Sequence, residues 1–324
     1  MEPIVSVLLP AYNCPNYIRE AVESILAQTF ADFELIVLDD GSTDETPDIV
    51  RQYTDPRIRL LSHANMGLAG TLNRGIGLAR GDYIARQDQD DRSFPERLSK
   101  QVAFLDAHPA CALIGTWAEI WRETNKTERT HAHPAGDAEL KFLLLLNNPF
   151  VHSSVMIRKA ALDRVGGYSP DRTRQPPEDY ELWSRIAREY DVANLPEVLN
   201  VYREIEGSMS RHGPSPFADH LVTISAENVA WAAGVEPSDP QVMNLAALEH
   251  DAHHRIQGEP DFAAMRSTFR RAAARVTGSD SQRFEREAER RVDVLQGRWW
   301  DVRYGGGWRR RLMRAAHRVD RLLS

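Results

Sequence analysis

Only two cysteines, Cys14 and Cys111, occur in 324 residues. They lie far apart without a metal-ligand spacing, which argues against a disulfide framework and predicts a reducing compartment. Long apolar runs are equally scarce. The densest, Phe142-Leu143-Leu144-Leu145-Leu146, falls well short of the roughly 18 apolar residues of a membrane span. The opening Met1-Glu2-Pro3-Ile4-Val5-Ser6 has no basic stretch leading into an apolar one, so the expectation is a cytoplasmic chain without a secretory signal. Lysine stands only at positions 100, 126, 141 and 159, and the net charge is -7. That balance argues against bulk nucleic-acid binding. No G-x-G-x-x-G follows the first predicted strand, which disfavours a dinucleotide-binding dehydrogenase.

What is present is an ordinary globular composition, 42% hydrophobic and 27% charged, in a chain long enough to bury a full core. From Val5 to about Arg86, short apolar runs alternate with helical periodicity, the pattern of parallel strands joined by crossover helices. The predicted strands are Val5 to Leu9, Glu34 to Leu38, Ile58 to Leu61 and Tyr83 to Arg86. Helices are predicted around Tyr17 to Gln28, Thr43 to Tyr53 and Ala69 to Ala79. Ser42 and Glu45 offer a capping box for the second of these. A further helix is expected from Pro95 to about His108, and a further strand from Ala112 to Ile120. Gly213-Pro214-Ser215-Pro216 reads as a linker, so a boundary is expected near 212, with a catalytic domain over 1-212 and a helix-rich extension over 213-324.

In an open parallel sheet, ligands collect beyond the carboxyl ends of the strands. Each of the four predicted strands runs into polar residues there: Pro10-Ala11-Tyr12-Asn13, Asp39-Asp40-Gly41-Ser42, His63-Ala64-Asn65-Met66-Gly67 and Gln87-Asp88-Gln89-Asp90-Asp91. An Asp-x-Asp at a strand end can hold Mg²⁺ or Mn²⁺ against a diphosphate, because hard oxygen ligands suit those ions and phosphates complete the coordination. The alternative is a solvated acidic loop, with Asp91 capping the helix near Pro95. A second acidic pair, Glu178-Asp179, opens a predicted helix after Pro176-Pro177. Such a carboxylate can take a proton from a hydroxyl, or can simply cap the helix. Trp183, one turn on, is either a ring flanking a ligand or a core tryptophan.

The order of these elements resembles the family 2 glycosyltransferases, which have the GT-A fold. The matching residues include Val5 to Asn13, Gln28-Thr29-Phe30, Phe33 to Asp44, Asn65-Met66-Gly67, Asn73-Arg74-Gly75, Gly81 to Ala85, Asp88 to Asp91 and Glu178 to Trp183. The implied fold is α/β, Rossmann-like, with a mostly parallel sheet flanked by helices and a helical C-terminal extension. The resemblance implies that Pro10, Ala11 and Tyr12 border a nucleotide and that Asp39 and Asp40 lie at its base, with Asp40 bonding the base ring. It places Asn65, Gly67 and Asn73 by the ribose and phosphates, although Gly67 and Asn73 read equally as turn and packing residues. Asp90 becomes the direct ligand of a divalent metal, Mn or Mg, with Asp88 beside it near the ribose or a metal-bound water. Asp179 becomes the catalytic base, next to Glu178. On the acceptor side the resemblance places His152, Tyr168, Trp183 and Arg203. Many relatives carry histidine where Ile205 stands, which leaves Arg203 as the candidate for a phosphate or metal contact.

The implied activity is inverting transfer of a sugar from a nucleoside-diphosphate sugar to a saccharide or lipid-linked hydroxyl acceptor, in cell-envelope polysaccharide assembly. A noncatalytic nucleotide-sugar-binding protein is the main rival, and a sugar-phosphate nucleotidyltransferase is disfavoured by the missing Gly-rich basic loop. Residues 298-324 hold eight arginines and two aspartates, with Trp308, Leu312, Ala315, Val319 and Leu322 near one helical face. Such a helix suits peripheral contact with an anionic membrane, docking on the catalytic domain, or a homo-oligomer contact. His250, His253 and His254 are expected on a packed or solvated helix face.

Overall fold

The computed structural model describes residues 2–205 and 217–305. The chain divides into two compact units, 1–220 and 221–324. The expected linker at 213–216 lies outside the described residues, as do Gly207 to Arg211 and the stretch from Gly306 to Ser324.

The first unit opens with β1 (Val5–Ala11), α1 (Ile18–Leu26), β2 (Phe33–Asp39), α2 (Thr46–Arg51), β3 (Ile58–Ser62), α3 (Leu68–Leu78) and β4 (Tyr83–Arg86). Strands β1 and β2 are buried along their whole length, because helices cover both faces of a parallel sheet and each side chain must be apolar or paired. Helix α1 buries Ile18, Ala21, Val22 and Ile25, the spacing that lines up one helical face. Helix α2 begins later than expected. Its N-cap is Glu45, without a side-chain bond, while the Ser42 hydroxyl accepts from the Asn13 N–H and Asp44 accepts from the Thr46 N–H. The capping box does not form, because Ser42 ties two strand-end loops together instead.

After the two-residue β5 (Arg92–Ser93) come α4 (Arg97–Ala107), β6 (Cys111–Arg122), β7 (Asn125–His131), α5 (Asp137–Leu143), β8 (Met156–Arg158), α6 (Lys159–Val165), α7 (Glu178–Glu189) and β9 (Asp191–Glu204). Among the described residues the strands form one nine-stranded sheet in the order β3-β2-β1-β4-β8-β6-β9-β5, with β7 on β6. Strands β1 to β4 pair in parallel. Antiparallel pairing enters with β8, which bonds both β4 and β6. Strand β9 carries Pro196, and the β6–β9 register shifts there, from Thr116 opposite Leu195 to Trp117 opposite Val198. Proline has no N–H for the ladder and is accommodated at such an irregularity.

The chain leaves β1 toward β2 and β3 and returns on the opposite side to β4. That reversal opens a crevice between the carboxyl ends of β1 and β4.

The second unit is helical: α8 (Phe217–Ala233) from Leu221 onward, α9 (Pro240–Glu249), α10 (Phe262–Thr277) and α11 (Ser281–Tyr304). Its core holds Val229, Leu245, Met265, Phe269, Phe284, Val292 and Leu295. Arg266 pairs with Asp293 at 2.9 Å and Arg270 with Glu285 at 2.9 Å, joining α10 to α11. His250 sits on a packed face, its Nε2 2.8 Å from the Ser225 hydroxyl. Among the described residues no helix is long and apolar enough to cross a membrane.

Candidate functional site

The carboxyl ends of the four parallel strands are knit into one rim by side chains that bond across adjacent loops. Between β1 and β2, the Asn13 side chain accepts from the Thr43 N–H at 2.9 Å. Between β2 and β3, Asp40 accepts from the N–H groups of Met66 at 2.7 Å and Gly67 at 3.0 Å, and the Asn65 amide donates to the Asp40 carbonyl at 3.0 Å. Gly41 is required at this junction: its φ is +78°, and a Cβ there would meet the Asn65 nitrogen at 2.9 Å. Between β1 and β4, the Gln89 side chain accepts from the Tyr12 N–H at 2.7 Å and donates to the Tyr12 carbonyl at 3.3 Å. Pro10 and Ala11 are buried, whereas Tyr12, just past the end of β1, is 47% exposed.

The acidic turn after β4 is built from three carboxylates in three different environments. Asp88 accepts from the Arg86 guanidinium at 2.5 Å. Asp91 is buried and accepts from the Ser153 hydroxyl and from the Arg203 N–H, so it anchors the turn rather than capping α4, whose N-cap is Glu96. Asp90 has its own backbone N–H as its donor. Burial, then the Asp88 charge, push its carboxyl up to about 7. A desolvated carboxylate of that kind is the group a cation would relieve. Among the described residues no set of three or more His, Cys, Asp or Glu is gathered as a ready metal site. Asp90 and Asp88 offer two carboxylates, so a cation there would need phosphate or water oxygens to complete its coordination.

The second acidic pair lies at the start of α7. Glu178 and Asp179 are 7% and 9% exposed. Asp179 accepts from the Tyr180 N–H at 2.8 Å and from the Asn148 amide at 2.8 Å. Burial pushes its carboxyl up to about 6 against those two bonds. Glu178 is pushed up to about 7, first by burial and then by Asp179. The Asp88 charge raises both carboxyls, and the Arg86 charge opposes that rise at Glu178. Two clusters some ninety residues apart in sequence thus share one electrostatic environment, with the buried Arg86 between them.

His152, Tyr168 and Trp183 form a cluster beside this pair. The His152 Nε2 lies 2.9 Å from the Tyr168 hydroxyl, its Nδ1 lies 3.9 Å from Glu178, and both rings pack edge-on against Trp183. Burial, then the Arg86 charge, hold His152 neutral by lowering it to about 3. Trp183 is fully buried and Tyr168 is 4% exposed. Trp183 is thus packed in the core, with the half-buried His152 and the Tyr168 ring against it beside the acidic pair.

Three further candidates bond within the chain. Asn73 donates to the Tyr168 carbonyl and accepts from its N–H, both at 2.8 Å, so it clamps the Gly166-Gly167-Tyr168 loop as a packing residue. Arg203 is 2% exposed and directs its nitrogens to Asp90, Glu123 and Glu20 of its own chain. Asp39 is buried and accepts from the Ser42 N–H at 3.0 Å, a turn bond. Sequence reasoning gave Arg86 and Gln89 no role, and placed Asn148 only in an acceptor-side stretch rather than beside Asp179. Arg86 had a signal in the sequence, since an arginine two residues before an Asp-x-Asp is a natural counter-ion.

Residues 6–166 match the family model described as Glycosyl transferase family 2. EpsE of Bacillus subtilis (strain 168), which bears the name of a glycosyltransferase, is 37% identical over 227 residues, 68% of this chain and 81% of that protein. The amylovoran biosynthesis glycosyltransferase AmsE of Erwinia amylovora is 32% identical over 200 residues, 60% of this chain and 74% of its own. Among solved structures, S. aureus TarS in complex with UDP-GlcNAc superposes with a TM-score of 0.62 at 20% identity, covering 94% of this chain and 93% of that one. The mannosyltransferase PcManGT from Pyrobaculum calidifontis, in complex with GDP-Man and Mn²⁺, gives 0.50 at 18% identity, covering 99% and 81%. At these identities the structural likenesses show the fold, which is GT-A-like.

Proposed function

The chain belongs to glycosyl transferase family 2, and on that premise we propose that it moves a sugar from a nucleoside diphosphate to a hydroxyl acceptor, with inversion, in the crevice between β1 and β4. The observation that supports this reading is that the Asp88 carboxylate, bonded to the buried Arg86, acts on Asp90, Glu178 and Asp179 alike. In this reading the Asp88–Asp91 turn faces the diphosphate and the Glu178–Asp179 pair supplies the proton acceptor.

Tyr12 and the rim loops of β2 and β3 border the nucleotide in this reading, while Asp40 holds the Met66–Gly67 backbone in shape for it. Asp90, with Asp88, holds a divalent cation, which when bound neutralises charge on the departing diphosphate. Asp179 accepts the proton of the attacking hydroxyl. Its two bonds, from Tyr180 and Asn148, fix the carboxylate's orientation. Its raised pKa brings it close to the operating pH, where a general base works best. The buried His152–Tyr168–Trp183 cluster keeps bulk water from the inner side of the pair. The acceptor is proposed to be a saccharide or lipid-linked glycan of the cell envelope, supported by the name of the relative AmsE.

The test is calorimetric titration with UDP, GDP, dTDP and their sugars, with and without Mn²⁺ or Mg²⁺, UDP-GlcNAc first. Metal-dependent binding of one nucleotide class is expected. Asp179→Asn is expected to keep that binding and to lose on the order of 10² to 10⁴ in turnover. Normal turnover in that variant would remove Asp179 as the base. Nucleotide binding without transfer to any acceptor would favour the noncatalytic reading.

A further inference from the structure

Resting on the reading just given, we propose that Arg203 is a positioning residue whose cross-brace on the Asp88–Asp91 turn sets the affinity of the site for the cation–nucleotide pair.

Arg203 lies at the end of β9 and reaches four other elements of the first unit. Its backbone N–H donates to Asp91 Oδ1 at 2.7 Å, and its Nε donates to the Asp90 carbonyl at 2.7 Å. One terminal nitrogen donates to the Glu123 carbonyl, in the turn between β6 and β7, at 2.5 Å; the other donates to Glu20 on α1 at 2.6 Å. The guanidinium plane lies over the Tyr17 ring, 4.7 Å from its centroid, with the Trp121 ring at 5.7 Å. The Tyr17 hydroxyl closes the circle on the Glu123 carboxylate.

The consequence falls on Asp90. On one side of it Asp88 is tied to Arg86. On the other, Asp91 is tied to Ser153, whose oxygen also accepts from the Asn200 amide at 2.8 Å. Between these two anchors the Arg203 Nε holds the Asp90 carbonyl. The backbone from which the Asp90 carboxylate projects is thereby held in place. A charge alone could not do this. The planar fork addresses three acceptors at once and stacks on an aromatic face, which a lysine ammonium cannot reproduce. Groups that orient a metal ligand without touching the metal typically govern affinity by 10- to 100-fold.

The test compares wild type, Arg203→Met, Arg203→Lys and Glu20→Gln by titration with the nucleotide that binds wild type, at a series of Mn²⁺ concentrations. Arg203→Met is expected to weaken Mn²⁺-supported nucleotide binding by about 10- to 100-fold, and to leave nucleotide binding without metal unchanged. Arg203→Lys should recover only part of that loss, and Glu20→Gln, which keeps the bond to Asp90, should lose less than Arg203→Met. A variant that is merely destabilised lowers the binding stoichiometry and leaves the affinity of the folded fraction intact, so stoichiometry and affinity separate the two roles. If Arg203→Met does not fold, Arg203→Lys at wild-type affinity still overturns the proposal. Wild-type metal-supported affinity in Arg203→Met overturns it alone. Equal nucleotide affinity with and without metal in the wild type removes the metal reading and this inference with it.

Discussion

Asp179 and Glu178 are neighbours in sequence, yet their surroundings give them different chemistry. Asp179 has two fixed donors; Glu178 has its own N–H and, at 3.9 Å, the ring of a neutral histidine. Both carboxyls are raised, to about 6 and about 7, so turnover is expected to rise as pH passes through that range and the pair ionises. The Asn148 amide opposes the rise at Asp179. A hydrogen bond to a charged group contributes about 1.5 kcal/mol or more, which is about one pH unit. Asn148→Ala is therefore expected to move the acid limb of kcat/KM upward by about one unit, and an unchanged profile would show that the amide does not tune the base. Asp90→Ala is expected to abolish the metal dependence of nucleotide affinity, a loss that titration reads directly. These roles were only partly legible in the sequence. The carboxylates could be named from their motifs, but the arginine, asparagine and glutamine that orient them are joined to those motifs by tertiary contacts alone.

Elements β1 to β4 were legible because each is a short apolar run punctuated by polar loops, and the crossover helices between them follow a 3.6-residue period. The second half of the sheet was less so. Strand β7 is a mostly exposed, charged edge of a hairpin, β8 has three residues, and β9 is interrupted by Pro196. None of these presents a regular alternation. Loop junctions carry the precision of the first unit, as at Gly167, where a Cβ would lie 2.2 Å from the Asn73 side-chain oxygen. Gly167→Ala is therefore expected to destabilise by about 1 to 3 kcal/mol through overpacking, and denaturant unfolding with an unshifted midpoint would contradict the clamp. The late start of α2 has the same origin: the Ser42 hydroxyl bonds to the Asn13 loop, while Asp44 takes the Thr46 N–H at the first residue of the helix.

For the whole molecule, raised carboxyls make a statement about stability. Asp90, Glu178 and Asp179 bind protons more tightly folded than unfolded. Their contribution is present at low pH and is lost as pH rises from about 4, where unfolded carboxyls ionise, through about 7. A cation with nucleotide should reverse that loss. Thermal unfolding is thus expected to show a larger stabilisation by Mn²⁺ and nucleotide at pH 8 than at pH 5, and equal stabilisation at both would argue that these carboxylates do not face the ligand. The basic stretch at 298–324 lies mostly outside the described residues. Of the three roles open to it, membrane contact predicts salt-sensitive sedimentation with anionic vesicles, and absence from the pellet would count against it. The sequence by itself determined the family, the parallel half of the sheet and the two acidic clusters, because periodicity and short motifs are local properties. Only the tertiary structure decided that those clusters meet around Arg86, that Trp183 and Asn73 are packing residues, and that Arg203 braces a turn. Each of those outcomes depends on which polar groups find partners across the sheet, and a buried group's partner is a property of the fold rather than of its neighbours in the chain.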